Sequence, residues 1–142
     1  MADQLTTPLD YAQAYAGIGW AVIPLHWINE AGKCSCVDTA CRAPGKHPLT
    51  LNGVKAASKN LSVLAGWWAR WPQANVGVAT GQISGISVVD VDPRNGGETP
   101  PGMPNTVTAL TGGGGFHYVF AHRTGLPGKL GPGIDVKNDG GY

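Results

Sequence analysis

The chain has 142 residues, a net charge of +1 and 42% hydrophobic residues, which is enough for one folded domain with its own core. Its 22 glycines and 11 prolines lie between apolar runs rather than in a repeat, which excludes a collagen-like chain and indicates a loop-rich globular domain. The near-neutral charge neither indicates a nucleic-acid partner nor argues against one. There is no signal-like start and no run of about 18 apolar residues, so we expect a cytoplasmic protein without a membrane partner.

The predicted elements alternate between helices and short strands. Thr7 and Pro8 are typical of a helix start, and the glycines from residue 17 onward predict its end. A buried strand is predicted at residues 20–25, and a second helix runs from about 58 to 71. Further strands are predicted at residues 75–80, 85–92, 106–111, 116–122 and 133–136, with a loop over residues 93–105. This order predicts a mixed α/β or α+β fold.

Asp90 and Asp92 stand in the otherwise apolar run ISVVDVD, where an uncompensated buried carboxylate is costly. Residues i and i+2 of a strand share a face and lie about 6.6 Å apart, so the two carboxylates can hold one or two divalent cations such as Mg²⁺ or Mn²⁺. Asp135 in GIDV is the best candidate for a third acidic ligand. The alternative is that Asp90 ends its strand, Asp92 caps the Pro93 turn and Asp135 makes a local bond. Both interpretations stay open on the pattern alone.

The run TGGGGFHYVF contains the consecutive glycines Gly112, Gly113, Gly114 and Gly115. Such a run lets backbone N–H groups approach a phosphate without side-chain obstruction. His117 follows on the strand face opposite the aromatic residues of FHYVF. If those aromatics face the core, His117 faces a cleft, where its imidazole can donate to a triphosphate. The alternative is a flexible hairpin tip followed by a half-exposed strand histidine.

The three cysteines lie in a Gly-rich and Pro-rich insertion at residues 33–48. Cys34, Cys36, Cys41 and His47 form the pattern C-x-C-x4-C-x5-H, which matches a structural Zn²⁺ site with all four ligand positions filled. Free thiols in a reducing compartment are the alternative. The zinc would order the loop that presents Lys46, a cation suited to a phosphate; otherwise Lys46 is an ordinary solvated lysine.

Six blocks follow one another along nearly the whole chain: WAVIPLH, GKHPLT, WWARWPQANVGVATG, ISVVDVDPRNGG, TGGGGFHYVF and GPGIDVKNDGGY. In order, spacing and content they resemble the bifunctional primase/polymerase N-terminal (prim-pol) domain of the archaeo-eukaryotic primase superfamily. That domain occurs in replication proteins of phages, plasmids and integrated elements, often ahead of a helicase. The resemblance implies an α+β fold with an RNA-recognition-motif-like (RRM-like) catalytic core, a smaller α/β unit, an active site in the cleft between them and a zinc-stapled insertion loop. We expect one such domain over residues 1–142, trimmed at its C-terminus.

The resemblance also implies a nucleotidyltransferase, acting as a DNA primase or a DNA polymerase. The first family motif falls on Asp90 and Asp92 and the third on Asp135, as ligands of two Mg²⁺ or Mn²⁺ ions. The second falls on His117, which would bind the incoming NTP or dNTP together with the glycine amides and Lys46. The Cys/His insertion recurs in some members, which supports the zinc interpretation. The implied partners are a single-stranded DNA template, the nucleotides and a helicase domain or protein downstream.

The basic candidates for contact with the template are Arg70, Arg94, Lys129 and Lys137. Trp67, Trp68 and Trp71 have a helical spacing that is more typical of core and lid residues than of base-stacking residues. His26 and His122 belong to no motif, so we expect structural roles for both. Two other functions keep part of the pattern: a metal-dependent nuclease or phosphohydrolase, and a non-catalytic, zinc-stapled nucleic-acid-binding module.

Overall fold

The computed structural model describes residues 4–142. The chain forms two compact units, the first ending at Ala79 and the second running from Thr80 to Tyr142. The first unit contains both α-helices and a two-stranded sheet, and the second contains a five-stranded sheet. The predicted mixed α/β class is therefore confirmed. No helix within residues 4–142 has the length and apolar character needed to cross a membrane.

Helix α1 spans Pro8–Gly17 and begins where the sequence predicts. The Thr7 side chain accepts a hydrogen bond from the Asp10 N–H, and the Asp10 carboxylate accepts from the Thr7 N–H at 2.7 Å. This reciprocal capping box satisfies two backbone donors that the helix leaves without partners, and Pro8 needs no such partner. Local sequence alone therefore specifies the start of this helix.

Helix α2 spans Leu61–Arg70, so it begins later than predicted. Asn60 caps the helix with its side-chain oxygen. Ser58, which was predicted to lie inside the helix, instead pairs with Val22 through two backbone hydrogen bonds of 2.8 and 2.9 Å. The prediction of a start at residue 58 was wrong because a tertiary backbone pairing took that residue and left the capping role to the next Asn.

Strands β1, Val22–Leu25, and β2, Asn75–Val78, pair antiparallel and pack with the two helices around one core. Its buried members are Ala12, Val22, Leu64, Trp68 and Ala74. Trp68 is only 3% exposed and donates its indole N–H to the Ala74 carbonyl oxygen at 3.1 Å. Trp67 and Trp71 pack against the same core. The core interpretation of these tryptophans is therefore confirmed.

The second unit is an antiparallel sheet in the order β4-β5-β3-β7-β6. Its strands are β3 Ile86–Val91, β4 Val107–Leu110, β5 Phe116–Ala121, β6 Lys129–Gly131 and β7 Ile134–Lys137. The predicted hairpin around the glycine run is confirmed as β4-β5. Strand β6 was not predicted, because its three residues carry too short a pattern to recognise. The central position of β3 gives the Asp90 strand a neighbour on each side.

The polar C-terminal segment after β7 contacts the sheet rather than standing apart from it. Asn138 accepts from the Ser87 hydroxyl at 2.8 Å. Asp139 accepts from the Gln82 N–H at 2.8 Å and pairs with His122 at 3.2 Å. The hydrogen bonds to Asp139, first that from the Gln82 N–H, hold the pKa of its carboxyl below the usual value. These contacts agree with the structural role expected for His122.

Candidate active site and metal centre

Three of the predicted site residues form one row across the sheet of the second unit. Asp90 on β3 lies directly opposite His117 on β5 and, on its other side, directly opposite Asp135 on β7. Directly opposed residues of neighbouring strands project from the same face of the sheet. Residues that are far apart in sequence therefore become neighbours, as the sequence analysis predicted for Asp90 and Asp135.

The row lies on the more open face of strand β5. His117 Nε2 is 3.4 Å from Asp90 Oδ1, and the two side chains are 46% and 23% exposed. Phe116 and Tyr118 are half-buried, and their rings pack at 5.7 Å. The expected alternation along FHYVF is thus observed, with His117 on the face opposite the aromatics. The imidazole and the carboxylates are reachable by a ligand from solvent.

Asp92 lies just beyond the end of β3 and has local partners. Its carboxylate accepts from the Arg94 N–H at 3.0 Å, from Arg94 Nε at 3.2 Å and from Asn95 Nδ2 at 2.9 Å. The Arg94 side-chain hydrogen bond is the main reason why the pKa of the Asp92 carboxyl falls below its usual value. This is the Pro93 turn cap that the sequence left open as the alternative. A metal ion at Asp92 has to compete with the Arg94 guanidinium.

The oxygen donors of Asp90 and Asp135 suit Mg²⁺ or Mn²⁺, and their shared face makes joint ligation feasible. Among residues 4–142, however, the zinc-type cluster described below is the one group of three or more candidate ligands already gathered closely together. The three aspartates therefore fit a divalent site by residue type and face, but they are not preassembled as a ligand shell. Of the three, Asp92 is the least available to a metal ion, because its carboxylate is hydrogen-bonded to Arg94 and Asn95.

The glycine run forms the tight turn between β4 and β5. Gly114 and Gly115 donate their N–H groups to Thr111, at 3.1 Å to its carbonyl oxygen and 3.0 Å to its hydroxyl. Within the described residues, the N–H groups of Gly112 and Gly113 have no hydrogen-bond acceptor. These two amides, rather than all four, are the ones available to a phosphate.

Two of these glycines lie against neighbouring groups, but only Gly115 faces backbone that cannot move aside, whereas Gly113 faces the flexible end of the Arg94 side chain. A Cβ at Gly115 would lie 2.1 Å from the Val91 carbonyl oxygen, and one at Gly113 would lie 2.5 Å from the Arg94 guanidinium carbon. The turn is therefore pressed against the end of β3, next to Asp92. Arg94 contacts both motifs, since it bonds to Asp92 and lies against the glycine turn.

A second site lies in the first unit, where the ligand atoms of Cys34, Cys36, Cys41 and His47 are all within 4.8 Å of one another. His47 Nε2 is 3.5 Å from Cys34 Sγ and 3.6 Å from Cys41 Sγ. Tetrahedral Zn²⁺, with bonds of about 2.3 Å to sulfur and about 2.0 Å to nitrogen, places such atoms about 3.5 Å apart. The geometry thus fits a Cys₃His zinc site, and no position is left open for catalysis.

The surroundings of Cys34 favour its metal-binding thiolate form. Burial raises the pKa of this thiol, but hydrogen bonds to its sulfur, first those from the N–H groups of Cys36 and Gly45, lower the pKa to about 6. The Gly45 N–H lies 3.3 Å from the sulfur. For Cys41 burial dominates and raises the thiol pKa. The thiolate form of Cys34 is therefore favoured over that of Cys41 near neutral pH.

The zinc loop is anchored by residues that the sequence analysis did not single out. Asn75 donates its side-chain amide to the carbonyl oxygens of Gly45, at 2.9 Å, and His26, at 3.2 Å. His26 stacks on the His47 ring at 4.2 Å and bonds to the Ser35 hydroxyl at 2.8 Å, which agrees with its expected structural role. A lone Asn at the start of a strand carries no sequence signal for such a role.

Lys46 lies in the zinc loop of the first unit, whereas the row of Asp90, His117 and Asp135 lies in the second. Its backbone N–H donates to the Ala43 carbonyl oxygen at 3.1 Å. The predicted contact between Lys46 and a nucleotide stays a prediction.

Comparison with known proteins gives one match. The chain matches the Prim-Pol family, described as bifunctional DNA primase/polymerase, N-terminal, over residues 12–142. The comparisons with curated proteins and with solved structures found no match. The family match confirms the resemblance seen in the sequence blocks. The chain therefore belongs to the Prim-Pol family of DNA primase/polymerase domains, whose substrates are nucleic acids and nucleotides.

Proposed function

We propose that this chain catalyses template-dependent nucleotidyl transfer, as a DNA primase, a DNA polymerase or both, with a pair of divalent ions held by aspartates of the second unit. The observation that carries the proposal is the row of His117, Asp90 and Asp135 on one face of the sheet. Family membership supplies the reaction class, and the row supplies the acidic ligands and a donor for the triphosphate at the same place.

Each residue of the row has a distinct task in this proposal. Asp90 and Asp135 hold the Mg²⁺ or Mn²⁺ ions, which when bound lower the pKa of the attacking hydroxyl and neutralise the pyrophosphate leaving group. His117 donates a hydrogen bond to the incoming triphosphate, and the amides of Gly112 and Gly113 bind its oxygens. The Asp90 carboxylate, 3.4 Å from the imidazole, orients that ring. Lys46 assists at the phosphates.

Asp92 would complete the ligand set if its carboxylate exchanged Arg94 for a divalent ion. The exchange is chemically reasonable because both the guanidinium and a divalent ion are cations that bind carboxylate oxygens. The freed Arg94 then lies beside the glycine turn, where a cation suits a phosphate or the template backbone. In this proposal both acids take part in metal binding, although only Asp90 belongs to the row.

The wider setting rests on the family resemblance. We include in the proposal an RRM-like catalytic core, an active site in a cleft, a single-stranded DNA template, and NTPs or dNTPs as substrates. The same holds for a downstream helicase, a cytoplasmic location and a role in replication of a phage, plasmid or integrated element. The basic template contacts would come from residues such as Lys129 and Lys137.

A primer-extension assay tests the proposal. The full chain is incubated with a labelled primer, a longer template, Mn²⁺ or Mg²⁺, and each nucleotide type in turn. Asp90→Asn should reduce extension by about 100-fold or more, because metal ligation contributes several kcal/mol to the transition state. Glu98→Gln, an exposed acid in the same unit, is the matched control and should retain activity.

The outcomes separate the rival functions. Lengthening of the primer that depends on Asp90 supports nucleotidyl transfer. Shortening of the labelled DNA would instead identify a nuclease. DNA binding by both forms of the chain without any change in length would identify a non-catalytic module, and the proposal would then be abandoned.

A further inference from the structure

Two neighbouring pockets of the first unit adjoin the zinc loop, but no zinc ligand lines either of them. One has a volume of about 460 Å³ and is lined by Trp27, Glu30, Gln73 and Asn75 among others. The other has a volume of about 330 Å³, and Tyr11, Tyr15 and Asn75 line it. Because Asn75 belongs to both linings, the two pockets adjoin. Each of them offers at least one aromatic side chain.

Trp27 and Tyr15 are held in place by packing, whereas Tyr11 is partly exposed. Trp27 packs against the core of the first unit while lining the first pocket. Tyr15 stacks on Trp20 at 5.5 Å with an angle of 28° between the rings. Tyr11 is 42% exposed, so part of its ring is available to a ligand. Rings fixed in this way lose little conformational entropy when a flat ligand stacks on them.

The polar groups of the pockets are suited to a neutral, flat ligand. Asn75 uses its amide N–H groups within the protein, and its side-chain oxygen accepts no hydrogen bond within residues 4–142. Gln73 is exposed, and Glu30 adds an acceptor. Among the residues that line the two pockets, none is Lys or Arg. A phosphate would lack a cation here, whereas amides and a carboxylate can bind the donor and acceptor edges of bases.

From this arrangement we propose that the two pockets hold successive unpaired bases of single-stranded DNA. The inference rests on the proposed function, because the template strand is the DNA concerned. Cations for the flanking phosphates are near in the chain. Lys33 accepts a backbone hydrogen bond of 2.8 Å from Asn29, another residue of the first pocket, and Arg70 lies three residues before Gln73. Aromatic stacking with phosphate contacts outside the pocket is a common way to bind a single strand.

In this proposal the tryptophans of α2 do not stack on bases. Trp68 is buried, and Trp67 and Trp71 belong to the packing of the core, so their faces are engaged within the protein. The aromatic side chains in the two pocket walls are instead Trp27, Tyr11 and Tyr15, and Tyr11 is the most exposed of the three.

The test measures the binding of a short fluorescein-labelled oligothymidylate to the full chain by fluorescence anisotropy. Neither divalent ions nor a chelator is added to the buffer. Tyr11→Ala and Trp27→Leu should each weaken binding by about 5-fold to 150-fold, the range found for loss of one stacked base. Tyr11→Phe and Trp27→Phe keep a ring and should bind nearly as wild type does. Tyr142→Ala, which removes a tyrosine of the second unit, should bind unchanged.

Thermal unfolding of every variant shows whether it still folds. Substitution of the half-exposed Tyr11 should disturb folding less than substitution of Trp27, which packs against the core. If the Tyr11→Ala variant and the Trp27→Leu variant both bound the oligonucleotide with the wild-type affinity, the inference would be overturned. If unlabelled duplex DNA displaced the labelled oligonucleotide as well as unlabelled single-stranded DNA does, the inference would also be overturned, because the chain would then recognise phosphates alone.

Primer extension distinguishes this failure from failure of the proposed function. Tyr11→Ala should raise the KM for template and leave kcat unchanged, whereas Asp90→Asn should stop extension and leave oligonucleotide binding intact. If the wild-type chain extends no primer but loses oligonucleotide binding in Tyr11→Ala, the pockets bind bases and the proposed reaction fails. Extension with an unaltered template KM in Tyr11→Ala would refute the pocket assignment alone.

Discussion

The four glycines of the turn beside the proposed site have different surroundings, so alanine substitutions along the turn should destabilise the chain to different degrees. An Ala Cβ at position 115 would lie 2.1 Å from the Val91 carbonyl oxygen and 3.0 Å from Pro93 Cδ. The first of these atoms is backbone of the central strand, so it cannot rotate away. A Cβ at Gly112 would meet nothing within 4 Å. The same substitution is therefore forbidden at one end of the turn and accommodated at the other.

The expected magnitudes follow from these contacts. Gly115→Ala should lower the free energy of unfolding by about 1–3 kcal/mol or more, because the turn must move away from β3 to relieve the overlap. Gly114→Ala should cost about 1–2 kcal/mol for a different reason, since Gly114 has a φ of +80°, which L residues with a Cβ rarely adopt. Gly112→Ala should change stability by no more than about 0.5 kcal/mol.

The assay is urea unfolding followed by far-UV circular dichroism, with the wild-type chain and the three variants compared at one temperature. Gly112→Ala serves as the matched control, because it makes the same chemical change within the same turn. Equal stability of Gly112→Ala and Gly115→Ala would refute the close packing of the turn on β3. Extension by Gly115→Ala should also fall, since the turn carries the amides proposed to bind the triphosphate.

Three further predictions concern other parts of the chain. Hydrogen bonds from Thr7 hold the pKa of the Asp10 carboxyl at about 2. The ionised carboxylate therefore stabilises the fold above the unfolded pKa of about 3.9, and this stabilisation is lost as the pH falls through the folded pKa. The difference in the free energy of unfolding between wild type and Asp10→Asn should accordingly shrink between about pH 4 and pH 2. Cys34→Ser should abolish stoichiometric zinc, measured by elemental analysis, while Asp38→Asn in the same loop keeps it. Arg94→Ala should raise the carboxyl pKa of Asp92 toward its usual value, measured by carbon NMR, and an unaltered pKa would contradict the hydrogen bonds at that turn.

Much of the local structure was predictable because its causes are local. The capping box at Thr7 and Asp10 lies within one turn of chain, and so the start of α1 could be predicted from four residues. The zinc cluster could be predicted for a similar reason, since its four ligands lie within one short insertion. The alternation of FHYVF also indicated which face of β5 carries His117.

The arrangement of the proposed site needed more than these patterns. Two acids of one strand could be placed on one face from their spacing, but the register that puts Asp135 and His117 on either side of Asp90 depends on which strands pair. The role of Asp92 was equally dependent on tertiary structure, because the same Asp-Pro pattern fits both a metal ligand and a turn cap. Its bonds to Arg94 and Asn95 favour the turn cap.

The sequence by itself determined the family, the two helices and most of the strands, and the identity of the acids, the histidine and the thiols. Only the tertiary structure decided that Ser58 leaves α2, that β6 exists, and that Asn75 links the zinc loop to two aromatic pockets. The physical reason is the range of the interactions. Caps, periodicity and ligand spacing act within a few residues of chain, whereas strand register and side-chain anchoring depend on partners that folding alone brings together.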